Sequence, residues 1–244
     1  MSSDYESWFS MLEVKGLSYS YANKLIFQDA SFVASPGKIS VILGSSGVGK
    51  TTLFRLIAKF LSPTDGKILW KGNPITQKDV AYMQQKSPLL PWRTIEKNIY
   101  LASELGRPRN SSIPPEKFIE VVDYFRINEL LERYPDEISE GQKQRVALAC
   151  QCLSSKPILL LDEPFSSLDV ITKEILYGYV LRLADEDKKT VILVTHDFRD
   201  VAFLGDSVFL MKDYSLVPIT FDDGFRSSKS IDLLIEKIRS SVLA

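Results

Sequence analysis

Apolar positions along the chain fall into two periods, and the places where each holds predict the order of elements. Alternation through Met11-Leu12-Glu13-Val14-Lys15-Gly16-Leu17 predicts a strand with one covered face. A second strand runs from Ala30 to Ala34 and closes on the turn Ser35-Pro36-Gly37. Ile39-Ser40-Val41-Ile42-Leu43 is almost unbroken in apolar residues, as a strand buried on both faces would be. Helical spacing takes over at Leu53 and persists to about Leu61, where Ser62-Pro63-Thr64-Asp65-Gly66 breaks it. Short strands are expected over Lys67–Trp70 and Val80–Met83, the first followed by the turn Lys71-Gly72-Asn73-Pro74.

From Lys86 to about Lys156 the texture changes to helices and loops. One helix is predicted from Ile95 to Leu105 and another from Pro115 through Phe125, with a polar loop over Gly106–Ser112 between them. Alternation of strand and helix then resumes: a strand Ile158–Leu161, a helix of about Val170–Ala184 and a strand Val191–Thr195. This βα order predicts an α/β fold with a parallel sheet interrupted by a helical insertion. Beyond Phe221, the spacing of Ile231, Leu234 and Ile238 predicts a short amphipathic helix that packs on the domain.

Composition narrows the function classes. The chain of 244 residues has 45% hydrophobic and 25% charged residues, ordinary values for a soluble globular protein that buries a core. Thirty basic residues against 31 acidic ones leave a net charge of −1, which gives no reason to expect a nucleic-acid partner. The N-terminus lacks the basic-then-apolar pattern of a signal peptide, and no apolar run approaches the ~18 residues a membrane span needs. Cys150 and Cys152 stand two apart on an expected helix, where side chains do not face each other, so buried reduced thiols are expected.

Gly44-Ser45-Ser46-Gly47-Val48-Gly49-Lys50-Thr51 matches the phosphate-binding pattern G-x-x-x-x-G-K-[ST], between an expected buried strand and an expected helix. Glycines let the backbone N–H groups close around an anion, and the helix N-terminus, through Thr52, adds its free donors. Lys50 is expected to reach the β- and γ-phosphates of a nucleoside triphosphate, and Thr51 to hold Mg²⁺. Downstream, the apolar strand ends in Asp162-Glu163. Asp162 suits Mg²⁺, through bound water, and Glu163 suits orientation of the attacking water. His196, the chain's one histidine, follows a predicted parallel strand, at the end where such sheets bind ligands, and is expected near the γ-phosphate.

Together these residues resemble the ATP-binding cassette family, the ATPase subunits of ABC transporters, over about Leu12 to Met211. The most discriminating part is Ile138-Ser139-Glu140-Gly141-Gln142, similar to the family signature Leu-Ser-Gly-Gly-Gln. The resemblance implies a P-loop NTPase core with a mainly parallel sheet, an N-terminal antiparallel β subdomain and an inserted α-helical subdomain at about 86–156. It implies one nucleotide-binding domain over 11–220, with a short helical tail over 221–244. Two copies, or this chain and a second cassette, are implied to sandwich two ATP molecules head to tail. Ser139, Gly141 and Gln142 of one then complete the site of the other, and Asp169 of Ser167-Leu168-Asp169 crosses the interface as the D-loop.

The resemblance further implies that Gln85 is the Q-loop glutamine that touches Mg²⁺, with the adjacent Gln84 as the alternative. Tyr21 is implied to stack on adenine, with Tyr19 as its alternative. Glu140 departs from the family glycine, and a carboxylate there is unfavourable to a triphosphate unless it points away or meets a cation. Leu90-Pro91-Trp92-Arg93-Thr94-Ile95 resembles the importer ATPases of the nitrate, sulfonate and taurine group. That implies membrane permease subunits as partners, an external solute-binding protein indirectly, and a peripheral place at the cytoplasmic face of the membrane. A soluble non-transport cassette and a catalytically silent subunit are the alternatives.

Overall fold

The computed structural model describes residues 11–86, 89–104, 113–220 and 236. In chain order these form β1 (Leu12–Tyr21), β2 (Lys24–Ala34), β3 (Ile39–Leu43), α1 (Lys50–Ile57), β4 (Asp65–Trp70), β5 (Asn73–Pro74), β6 (Val80–Met83), α2 (Ile95–Glu104), α3 (Pro115–Tyr124), α4 (Glu140–Cys152), β7 (Ile158–Asp162), α5 (Val170–Asp185), β8 (Thr190–Thr195), α6 (Phe198–Leu204), β9 (Ser207–Lys212) and β10 (Ser215–Ile219). Two short 3₁₀ turns, Asn128–Leu130 and Pro135–Glu137, lie between α3 and α4.

The strands divide between two sheets. β2-β1-β4-β5 is antiparallel throughout, and β10-β9-β3-β8-β7-β6 is parallel except for the pairing of its edge strand β10 with β9. β3, β7 and β8 are buried at every position, which is why they read as continuous apolar runs. Alternate side chains nevertheless separate into two cores. Ile42, Leu160, Ile192 and Val194 pack with α1 and the antiparallel sheet. Val41, Leu159, Leu161 and Leu193 pack with residues of α2 to α6. The helical segment between β6 and β7 thus shares the core of the parallel sheet. Each fully buried leucine or isoleucine contributes about 1.5–3 kcal/mol of transfer free energy.

Most expected elements are present, and several bounds differ for identifiable reasons. Strands β3 and β6 have the expected limits. α1 stops at Ile57 rather than about Leu61, because Lys59 takes a left-handed conformation (φ 60°) and the N–H groups of Phe60 and Leu61 return to the Arg55 carbonyl. β2 begins at Lys24, so the expected Ala30–Ala34 strand is only its second half. Pro115 begins α3 and Phe125 caps it. No sequence pattern pointed to α6, β9 or β10. The loop over 106–112, all but Glu236 of the helix expected around Ile231 to Ile238, and the aromatic residues Tyr5, Trp8 and Phe9 lie outside the described residues. No helix among the described residues is long and apolar enough to cross a membrane.

Among the described residues two buried hydroxyls, those of Tyr179 and Thr190, run against the usual pairing rule. Tyr179 of α5 is 1% exposed, packs edge-on against Tyr124 and Phe125, and its hydroxyl has no hydrogen-bond partner among the described residues. Such an orphan costs about 1–3 kcal/mol. Tyr179→Phe is therefore expected to leave stability unchanged or raise it by about 1 kcal/mol, read from the urea midpoint at constant slope. A loss of stability would show that the hydroxyl is satisfied in solution.

Candidate functional site

Register in the parallel sheet decides what meets at its C-terminal edge. Leu43 pairs with Thr195, Asp162 with Val194 and Met83 with Leu161. The segments beginning at Gly44, Gln84, Glu163 and His196 therefore leave the sheet side by side. A cavity of about 290 Å³ opens between them, walled by Ser46, Gly47, Gly49, Lys50, Thr51, Thr52, Gln85, Asp162 and Glu163.

The phosphate loop closes tightly because Gly49 takes φ 122°, and a Cβ there would come within 2.7 Å of Ile26 Cγ2. α1 starts at the next residue, with its N-terminus at the cavity wall. Lys50 is 7% exposed and its ammonium donates to the carbonyls of Gly44 (2.7 Å) and Ser45 (2.9 Å). Burial pushes the Lys50 pKa down, against the pull of Glu163 and Asp162, which favour the cation. Val48 lies against Gly44, where a Cβ would meet its Cγ1 at 2.9 Å.

Asp162 is 2% exposed, and two hydroxyls donate to its Oδ2: Thr51 at 2.9 Å and Tyr82 at 3.3 Å. Burial raises its pKa, and those two hydrogen bonds oppose the rise. Glu163 follows in a left-handed conformation (φ 50°), sparsely populated for a residue with a side chain. The turn aims its carboxylate between two neighbours: Gln85 Nε2 donates to Oε2 at 3.1 Å, and His196 Nδ1 lies 3.3 Å from Oε1. His196 itself is largely exposed and stands outside the cavity walls. Gln85 lines the cavity and Gln84 does not. Tyr21 is also absent from the walls. It sits at the exposed end of β1, edge-on to the more buried Tyr19 at 5.0 Å.

The signature residues lie elsewhere. Ser139 caps α4 by accepting from Gln142 N–H (3.3 Å), while Gln142 Oε1 accepts from Ser139 N–H (2.8 Å), a reciprocal capping box. Ser139, Gly141, Gln142, Ser167, Leu168 and Asp169 line a second, open cavity of about 440 Å³. Asp169 caps α5 through Thr172 N–H at 3.0 Å. Glu140 is exposed and pairs with Lys143 at 2.7 Å, so the carboxylate meets a cation on its own helix. Cys150 and Cys152 are buried free thiols. Burial pushes Cys150 up to about 12, which leaves it unreactive.

The ABC transporter family profile matches residues 27–166, more than half of the chain. The chain belongs to the ABC transporter family. The nitrate import ATP-binding protein NrtD of Synechococcus elongatus is 37% identical over 188 residues, covering 75% of this chain and 68% of the relative. An aliphatic sulfonates import ATP-binding protein, SsuB 1 of Rhodococcus jostii, is 35% identical over 205 residues, or 84% and 80% of the two chains. Among solved structures, the dimeric bacterial ABC transporter cassette MJ0796 superposes with a TM-score of 0.75 at 26% identity, over 84% of this chain and 96% of that one. The same cassette in a post-hydrolysis state bound to ADP and phosphate matches equally well, at 25% identity. This cassette is accordingly the ATP-binding, ATP-hydrolysing subunit of an ABC transporter.

Three polar residues with roles in the geometry were not assigned one from the sequence. Tyr82 shares Asp162 with Thr51, and its only signal was a position three residues before Gln85. Asp200 is 2% exposed and accepts from Tyr177 and from Thr195, the residue before His196. Gln144 is a buried polar residue on α4. The choice between the two glutamines has a direct check in steady-state ATP hydrolysis. Gln85→Ala is expected to lower it by about tenfold or more, whereas Gln84→Ala changes it by less than about twofold. The reverse order would move the catalytic contact to Gln84.

Proposed function

We propose that this cassette drives import of a small solute by closing head to tail with a second cassette around two ATP molecules. The observation that carries this reading is the division of the site. The phosphate loop and the signature residues line different cavities of one protomer. An ATP held by Lys50 and the α1 N-terminus then meets Ser139, Gly141, Gln142 and Asp169 only on a partner. Importer relatives and a dimeric cassette structure support the arrangement.

Each residue then has a defined task. N–H groups of 46–52 and the Lys50 ammonium bind the phosphates. Thr51 and Asp162 present a hydroxyl and a buried carboxylate at one point, a hard oxygen pair of the kind Mg²⁺ takes alongside phosphate and water. Mg²⁺ bound there supplies charge neutralisation for the leaving phosphates. Glu163, steadied by Gln85 and His196, orients the attacking water and draws on its proton, while His196 contacts the γ-phosphate. Tyr21, exposed on β1, stacks on adenine.

Opening and closing of the pair moves docked permease subunits, which hold the cassette at the cytoplasmic face of the membrane and receive solute from an external binding protein. The single nucleotide-binding domain spans 11–220, with the helical insertion at about 86–156 facing the permease. The Lys143 partner of Glu140 leaves the signature helix free to serve its role.

Complementation tests the shared site. Lys50→Ala and Ser139→Arg are each expected to lack hydrolysis, and a mixture of the two to regain it, because one composite site per mixed pair is intact. A mixture without activity would contradict sharing. Glu163→Gln is expected to lower kcat by about 10²–10⁴-fold while ATP still binds. Co-purification of the cassette with membrane permease subunits checks the transport assignment.

A further inference from the structure

Gln144 is 4% exposed, and its amide makes three hydrogen bonds to a single loop. Nε2 donates to the Glu163 carbonyl at 2.8 Å and to Ser166 Oγ at 3.4 Å, and Oε1 accepts from Ser167 N–H at 2.9 Å. The partners fix the orientation of the amide, since a carbonyl can only accept and an N–H only donate. Gly141 lies one helical turn earlier on the same face of α4, and a Cβ there would come within 3.0 Å of the Ser167 carbonyl. Residues 163–167 are thus hydrogen-bonded to α4 at Gln144 and lie close against it at Gly141. Glu163 needs such support, because its left-handed backbone is sparsely populated for a residue with a side chain and persists only where surroundings over-determine it. Its N–H is tied to the Val194 carbonyl (2.9 Å) and its own carbonyl to Gln144.

We infer that Gln144 is a positioning residue for hydrolysis, which fixes the Glu163 turn to the signature helix so that the carboxylate faces the cavity. It acts through Glu163 and touches no nucleotide. The inference rests on the reading of Glu163 as the residue that orients water. It also joins the two halves of the protomer: α4 serves the partner's nucleotide at Ser139, and Glu163 serves its own. A shift of α4 on closure is then felt at Glu163.

The test compares Gln144→Met, close in shape and unable to make these bonds, with Gln144→Glu, which keeps an acceptor for Ser167 N–H and loses the donor to Glu163. Hydrolysis is expressed per site that binds a fluorescent ATP analogue, so that a misfolded fraction does not count. Both variants are expected to lose about tenfold or more in kcat, with KM changed by less than about threefold. Faster hydrogen exchange is expected over 163–168 but not over β8. Either variant with kcat per site within about twofold of wild type, or with KM raised as much as kcat falls, overturns the inference. Glu163→Gln is measured in parallel. If it retains hydrolysis, the reading of Glu163 fails. If it is inactive while the Gln144 variants are active, only the positioning role fails. Should Gln144→Met not fold, Gln144→Glu decides alone.

Discussion

Backbone hydrogen bonds between β3, β8, β7 and β6 hold the ends of these strands level, and the chemistry depends on that alignment. A slip of one residue in β7 would turn Asp162 to the other face of the sheet and move Glu163 away from Gln85 and His196. Such a slip is strongly opposed, because alternate side chains of each strand fill two different cores. The same burial leaves Asp162 in a poorly solvated place, where hydroxyls of Thr51 and Tyr82 satisfy it.

On this frame the protein carries two half-sites with different physics. The phosphate half is a concave loop of backbone donors, with a cation folded onto its own carbonyls and within reach of incoming phosphate. The signature half is a helix N-terminus stabilised by its own capping box and opening on a cavity separate from the phosphate loop. Gln144 hydrogen-bonds the signature helix to the loop that carries Glu163, with Gly141 close against the same loop, so the halves are in direct contact within one chain.

What the sequence made legible follows from how local each signal is. The phosphate loop, the buried strands and the Asp162-Glu163 strand end are short-range patterns whose residues act where they stand in the chain. The signature was legible as a motif, and its Ser-x-x-Gln spacing also encodes the capping box. Roles that depend on sheet register were not legible. Nothing local shows that Tyr82 meets Asp162, 80 residues away, or that Asp200 anchors the threonine before His196. α1 ended early because a lysine adopted the left-handed cap that glycine usually marks. The edge strand β10 and its neighbour β9 lacked the clean alternation that would have marked them. The preference for Gln85 over Gln84 rested on resemblance, and the cavity wall adds only that Gln85 lines it.

Light scattering of Glu163→Gln with and without MgATP tests the central claim of a divided site most directly. The account predicts a monomer without nucleotide and a dimer with MgATP, since only a partner's α4 can cover the phosphate loop. A protein that binds MgATP at full stoichiometry and stays monomeric, both alone and with its permease present, would contradict it.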